Sequence, residues 1–395
     1  MGARRAHGFP ASPSDLLQSD SGSRRPGPLT FPNFSTKTRW DSPSSLHSGP
    51  PANTTPSMDN VNYQPRMTMA LEREGTLARE AFVLIDVGCS GGIDALWRSF
   101  GAHLRAYGLD PDVAECRRLQ SLEANPRIRY FPVPIGLPDD SEFLRSKNAY
   151  ERANSPYEHS VMRRSTNLDT RFRTPSTVAG QGVPAEFAET ARVGLTEFLR
   201  QQELPSVDFV KVDTDGHDLE VLLSGEPSIE NAQIMGFLVE CMYQGSDHDT
   251  SNTFHNIDRF MKRHGFMIYG MTINKYSRAV LPAPFVYQFP AQTTSGQPAW
   301  GDVVFLRDLA APELRKYVAD FSAEKIIKLA CLYEIFQVPD CAVELILQHR
   351  DKISGRADVT KLLDLLTPPL AGTALSYQEY VQAVTANPKV LFPNK

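Results

Sequence analysis

The run FVLIDVGCSGGID, residues 82–94, sets an apolar strand-like stretch directly before an acid, Asp86, and then three glycines within five positions. Open α/β sheets bind ligands at such strand ends, so what this turn can hold decides the reading of the chain. A dinucleotide fingerprint requires G-x-G-x-x-G, with the pyrophosphate resting on the following helix N-terminus. The glycines here are Gly88, Gly91 and Gly92, a different spacing. The Asp86 carboxylate also works against a pyrophosphate, while it favours a ligand carrying an ammonium group. S-adenosylmethionine (SAM) is such a ligand, with an α-amino group, a positive sulfonium and no phosphate. The next strand ends in YGLDP, and Asp110 lies 22 residues beyond Gly88. A carboxylate there can accept both hydroxyls of a ribose. A lone Asp after a strand is commonly a helix cap; acid, glycine turn and second acid together point to a ligand.

Outward from this turn, strands alternate with helices, which implies a mostly parallel sheet with helices on both faces. The strand candidates are AFVLIDV, AHLRAYGLD, IRYFPVPI, VDFVKVD, IMGFLVEC, FMIYGMTI and DVVFLRD. Amphipathic spacing predicts helices after Pro111 (Val113, Cys116, Leu119), after Gly216 (Leu219, Leu222, Leu223), and over Phe254, Ile257 and Met261 before a stop at Gly265. A Pro-rich segment separates the last two strands, which suits an antiparallel hairpin at the sheet edge. Residues 141–192 interrupt the alternation with a polar insertion carrying Arg163, Arg164, Arg171 and Arg173, a loop length that is usually functional or disordered. Those arginines either clamp an anionic acceptor or lie in a solvated loop.

Residues 1–60 are rich in Ser, Pro and Gly and hold too few large apolar residues to offset the entropy of ordering. They read as a disordered tail, or as upstream sequence with Met58, Met67 or Met69 as the natural start. Residues 61–308 form the expected catalytic domain. Residues 309–395 read as a helical appendage: SAEKIIKLACLYEIF, CAVELILQHR, VTKLLDLL and a last helix with a capping box at Ser376 and Glu379. Its wide apolar faces require cover from the sheet domain or from a second subunit in a homo-oligomer.

The passage VDFVKVDTDGHDLEVLLSG, residues 207–225, crowds Lys211, Asp213, Asp215, His217 and Asp218 at the C-terminal end of a strand, the ligand-binding edge of such sheets. One acid is explained by capping the next helix; two within three positions are not. His217 is either a base or a surface imidazole. The following strand ends in Glu240, with SDHD at 246–249. Asp and His there, with Asp213 and Asp215, suit a divalent cation, but no recognised ligand spacing is present and no metal is assigned.

The net charge of −5 gives no global reason to expect a nucleic-acid partner. Five scattered cysteines form no CxxC pair and indicate neither a disulfide frame nor a zinc site, so a reducing, cytoplasmic setting is expected. No apolar run reaches the length of a membrane span, and the N-terminus lacks the apolar core of a secretory signal.

The combination IDVGCSGG, GLDP and VDFVKVDTDGHDLEVL resembles the FkbM-type SAM-dependent methyltransferases. Lys211, Val212, Asp213, Asp215, Gly216, Asp218, Val221 and Leu222 match the family block K-[IV]-D-x-[ED]-G-x-[ED]-x-x-V-L in register. The resemblance runs over about residues 80–307, with Glu240 in the place of a family acid. Two departures stand out: Asp110 replaces the commoner Glu, and GCSGG replaces the usual turn sequence. The resemblance implies a class I methyltransferase (Rossmann-like) fold, with a seven-stranded, mostly parallel sheet, and methyl transfer from SAM to an oxygen, often on a sugar or secondary metabolite. The expected cofactor contacts are Asp86, Gly88, Ser90, Gly91 and Asp110; the expected catalytic groups are Asp213, Asp215, His217 and Glu240. The rivals are an NAD-dependent sugar oxidoreductase or epimerase, which the glycine spacing and Asp86 oppose, and a binding or scaffold protein that has kept the fold without catalysis.

Overall fold

The apolar runs become strands of one mixed sheet, in a computed structural model that describes residues 61–158, 191–276, 293–317 and 321–391. The tail and most of the insertion, with its four arginines, lie outside the described residues. The strands are β1 Phe82–Val87, β2 Leu104–Asp110, β3 Ile128–Pro132, β4 Phe209–Val212, β5 Gly236–Met242, β6 Phe266–Met271, β7 Asn274–Tyr276 and β8 Gln297–Arg307. Their order is β3-β2-β1-β4-β5-β8-β6, with β7 pairing β8 off this path. The first five run parallel and β8 runs antiparallel to both of its neighbours. Insertion of an antiparallel last strand between β5 and β6 is the class I methyltransferase arrangement.

The expected count of seven strands is corrected to eight among the described residues. β7 is a three-residue piece, NKY, too short and too polar to register as an apolar run. The expected hairpin partners do pair antiparallel, but only β6 lies at the edge of the main path.

The helices are α1 Arg66–Arg73, α2 Val113–Leu122, α3 Glu142–Glu158, α4 Leu195–Gln201, α5 Asp218–Asn231, α6 Phe254–Arg263, α7 Ala323–Ile335, α8 Pro339–Gln348, α9 Arg350–Ile353, α10 Val359–Leu366 and α11 Tyr377–Ala386. Two apolar clusters cover the two sheet faces. Phe82, Leu84, Ala106, Phe209 and Val304 pack toward α1, α2 and α7, while Ile85, Val87, Val210, Val239 and Phe305 pack toward α4, α5 and α6. Burial on both faces is why the central strands read as continuous apolar runs rather than alternating ones. Between β1 and β2 the chain forms 3-10 turns over Ala95–His103, with Trp97 and Phe100 buried against Phe82.

The apolar faces of α7, α8 and α10 are covered by the chain's own core. Every residue of α7 except Glu324 is buried, including Lys325 and Lys328, each 1% exposed. Both lysines reach Asp208, immediately before β4, at 2.7 and 2.9 Å. Burial pushes the Asp208 carboxyl up, and the two ammonium groups more than reverse this, leaving it below its ordinary range. Asp208 also accepts the Val83 N–H, so one carboxylate ties β1, β4 and α7 together. Glu334, also on α7, accepts from the Met67 and Thr68 N–H groups of α1 and from the Thr68 hydroxyl, a carboxylate set against a helix N-terminus. Among the described residues, no helix is long and apolar enough to cross a membrane.

Candidate functional site

At the C-terminal edge of the sheet the glycine turn folds back over β2. Gly88 has φ +80°, and a Cβ there would lie 1.7 Å from the Asp213 carbonyl oxygen. Only glycine lets the β1 turn pass that close to the end of β4. The turn amides are engaged within the protein. Gly88 and Cys89 N–H both donate to the Leu109 carbonyl, at 2.8 and 3.3 Å, and Gly92 N–H donates to the Cys89 carbonyl. Ser90 N–H meets the Asp110 carboxylate, Gly91 N–H donates to Glu115 Oε1, and Ile93 N–H donates to the Tyr130 hydroxyl. A phosphate cradle needs such amides free and converging on an anion, and this turn presents acids instead.

Parallel register places Lys211 of β4 beside Asp86 of β1. The Lys211 ammonium lies 3.3 Å from Asp86 Oδ1 and 3.1 Å from Asp213 Oδ2. Among the described residues, the ammonium beside Asp86 is that of Lys211. Burial raises the Asp86 carboxyl to about 6 against the pull of Lys211. Burial likewise disfavours the charged form of Lys211, but Asp86 and Asp213 overturn this and hold it protonated.

Asp213, Asp215 and Glu240 come together at this edge, and Asp302 of β8, which the sequence did not single out, joins them opposite Glu240. Glu240 is pushed up to about 9, first by burial and then by Asp213, Asp218, Asp215 and Asp302. Asp302 is raised to about 6 by burial and Asp213, against Lys211. Asp215 itself takes a left-handed conformation, φ 51°, just before Gly216 at φ 101°. This pair of positive-φ residues turns the chain sharply from strand to helix and leaves the acids at the edge. Asp218 is a structural member: it accepts from the Thr214 N–H and hydroxyl and from Asn252 Nδ2, wholly buried.

His217 does not turn to the acids just described. Its Nδ1 lies 3.1 Å from Glu220 Oε1, three residues on along the first turn of α5. The buried Glu220 also receives Lys147 of α3 at 2.6 Å and Arg192, which precedes α4, at 2.7 Å. Burial favours its neutral form, but hydrogen bonds from His217 and Lys147 prevail and hold the carboxyl at about 2. Glu220 was missed in the sequence. The i,i+3 spacing to His217 is the one signal that could have found it, since Lys147 and Arg192 arrive from distant segments.

The 246–249 turn meets α3: the Ser246 hydroxyl donates to Tyr150 Oη at 2.6 Å, and the Tyr150 ring stacks on His248 with centroids 4.1 Å apart. His248 Nδ1 is engaged by the Thr250 hydroxyl. Among the described residues, no three His, Cys, Asp or Glu side chains are grouped to hold a metal ion.

Residues 105–268 match the model of the methyltransferase FkbM domain. The FkbM match begins in β2 and ends in β6, taking in Asp110, the block from Lys211 to Leu222, and Glu240. It leaves out β1 and its glycine turn, where the sequence departs from the family's usual turn. Solved structures similar to the chain include magnesium protoporphyrin IX methyltransferase (ChlM) from Synechocystis PCC 6803 with bound SAM, at 10% identity over 62% of this chain and 80% of that one, TM-score 0.26. N-methyltransferase NodS from Bradyrhizobium japonicum WM9, in complex with S-adenosyl-L-homocysteine, is similar at 9% identity over 63% and 90%, TM-score 0.24. A Haloferax volcanii complex of the Trm112 methyltransferase activator and a putative methyltransferase matches at 12% identity over 62% and 90%, TM-score 0.28. The class I arrangement is carried by the strand order β3-β2-β1-β4-β5-β8-β6. No match was found among curated protein sequences.

Proposed function

We propose that this chain is a SAM-dependent methyltransferase that methylates an oxygen, a hydroxyl on a sugar, glycan precursor or secondary metabolite. The observation that carries the proposal is the charge at the strand ends: Asp86 and Asp213 hold one ammonium, Lys211, with Asp302 also within its field and Asp215 beside them at the same edge. Such a field suits a cationic ligand and opposes an anionic one. The closed amides of the glycine turn argue against a pyrophosphate in the same way.

The residues present fit the cofactor. A carboxylate offers about four lone-pair sites, and at Asp110 the Asp112 and Ser90 amides take two of them, leaving capacity for a ribose diol. Gly88, Ser90 and Gly91 shape the turn beside it, and Asp86 acts through Lys211. Bound SAM supplies a methyl group on a good leaving group, so positioning of the acceptor is the main task left to the protein. Asp213 and His217 are the proposed bases for the acceptor hydroxyl, with Asp215 adding to the local charge. Glu240, at about 9, carries its proton at neutral pH and serves as a hydrogen-bond donor to the acceptor rather than as a base. Five free cysteines, four of them buried, are in keeping with a reducing compartment such as the cytoplasm.

The deciding experiment is calorimetric titration with SAM, S-adenosylhomocysteine and NAD, repeated on Asp110→Ala. The expected outcome is binding of the first two, none of NAD, and a loss of about 10- to 100-fold in the variant, the range for an unpaired polar group. Failure to bind SAM or its demethylated product would overturn the proposal and favour a scaffold role.

A further inference from the structure

Glu220 stands outside the acids at the strand ends, and buried ionised carboxylates with three cationic or hydrogen-bonding partners are rarely idle. Its side chain is 2% exposed, while that of His217 is 52% exposed. Oε1 receives Lys147 and faces His217 Nδ1, and Oε2 receives Arg192. An ionised carboxylate can only accept, so His217 Nδ1 must be the donor. A neutral imidazole that donates from Nδ1 carries its lone pair on Nε2. Among the described residues Nε2 has no hydrogen-bond partner. Asp213, the other candidate base, is by contrast paired to Lys211.

We propose that Glu220 is a positioning residue that fixes His217 in the Nδ1–H tautomer and leaves Nε2 open as the general base for the acceptor hydroxyl. The inference rests on the methyl-transfer function proposed above. When the acceptor oxygen attacks, its hydroxyl proton passes to Nε2, while the Nδ1 proton stays on the ring, shared with Glu220. The oxygen's electron pair forms the new bond to the methyl carbon, and the electrons of the old carbon–sulfur bond remain on sulfur. The resulting imidazolium is stabilised by the carboxylate, the arrangement of a base oriented by a third group. The same carboxylate is held by Lys147 of α3 and by Arg192, which lie near the two ends of residues 141–192. Lys147 and Arg192 thereby hold the carboxylate that orients the base.

The tautomer can be read directly from long-range proton–nitrogen NMR spectra of the full chain labelled at histidine, recorded at a pH well above the imidazole range. His217→Gln assigns the signal by removing it. A pyrrole-type nitrogen at Nδ1 and a pyridine-type nitrogen at Nε2 are expected. In Glu220→Gln, whose amide can meet either ring form, the Nδ1–H population should fall from dominant to about half or less. Glu220→Asp, which keeps the charge but withdraws the oxygens by one methylene, should show the same loss and serves if the first variant does not fold. An Nε2–H ring in the unmodified protein, or an unchanged tautomer in a folded Glu220 variant, would overturn the inference. The measurement needs neither cofactor nor acceptor. A protein that binds SAM with an Nε2–H ring refutes this inference alone, and one with an Nδ1–H ring that binds no SAM refutes the methyl-transfer function alone.

Discussion

Glu240 lies directly opposite Asp302 across the antiparallel pairing of β5 and β8, so two carboxyl groups share one position of the sheet beside Asp213. Like charges in that relation are destabilising, and a retained proton on Glu240 relieves the repulsion. Native Glu240 holds this proton up to about 9, whereas an unfolded glutamate loses it near 4.3. The native state binds more protons across that window, so its stability falls as pH rises through it, by up to about 1.4 kcal/mol per pH unit from this group. Asp86, Asp218 and Asp302, each at about 6, act in the same direction, but only at lower pH. Glu240→Gln should therefore abolish a loss of about 2 kcal/mol between roughly pH 7 and 9, measured by urea unfolding. Parallel pH profiles for variant and parent would refute the assignment.

Gly88→Ala and Gly91→Ala separate close approach from backbone strain. Both glycines have positive φ, but a Cβ at Gly91 meets nothing within 4 Å whereas one at Gly88 strikes the Asp213 carbonyl. The expectation is about 1–2 kcal/mol of destabilisation at Gly91 and more than about 4 at Gly88, where backbone must move. Thermal denaturation of the two variants checks the order; equal losses would contradict it.

Asp208→Asn should cost about 3–5 kcal/mol, because two buried ammonium groups lose their common partner. Lys325→Met with Lys328→Met and Asp208→Leu in the same chain removes the buried charges together and should cost much less. Chemical denaturation distinguishes the two, and a triple variant less stable than the single one would show that packing rather than charge dominates at this contact.

Lys211→Met and Asp86→Asn should be non-additive. Either change alone strands a buried partner, so the double variant should be more stable than the sum of single losses predicts, by about 0.5–3 kcal/mol. A double-mutant cycle in urea would give a coupling near zero if the 3.3 Å contact carries no energy.

Strand positions were legible because burial on both faces of the sheet leaves uninterrupted apolar runs such as FVLIDV and FLVEC. The helix stop at Gly265 and the capping box at Ser376 were legible because each is a local rule. β7 was not legible, since three residues carry no period. The site was legible only where one segment supplies it: Asp213 and Asp215 stand together in the sequence, but the neighbour of Asp86 depends on parallel register, and the neighbour of Glu240 on an antiparallel one. The partner of His217, Glu220, stands three residues on in the same helix, but the cations that hold Glu220 arrive from the two ends of a long insertion. The two buried lysines of α7 read as ordinary polar punctuation of a helix; only the acid at the base of β4 explains them.

The contact between α1 and Glu334, with that between Asp208 and α7, has a bearing on biosynthesis. The chain leaves the ribosome with residues 66–73 and Asp208 exposed, and the groups that complete them lie at 325–334. Throughout translation of the intervening sheet, Asp208 has no internal counterion and the α1 amides have only water. The nascent protein therefore reaches its final packing late, after α7 has emerged, and stays accessible to chaperones and proteases until then.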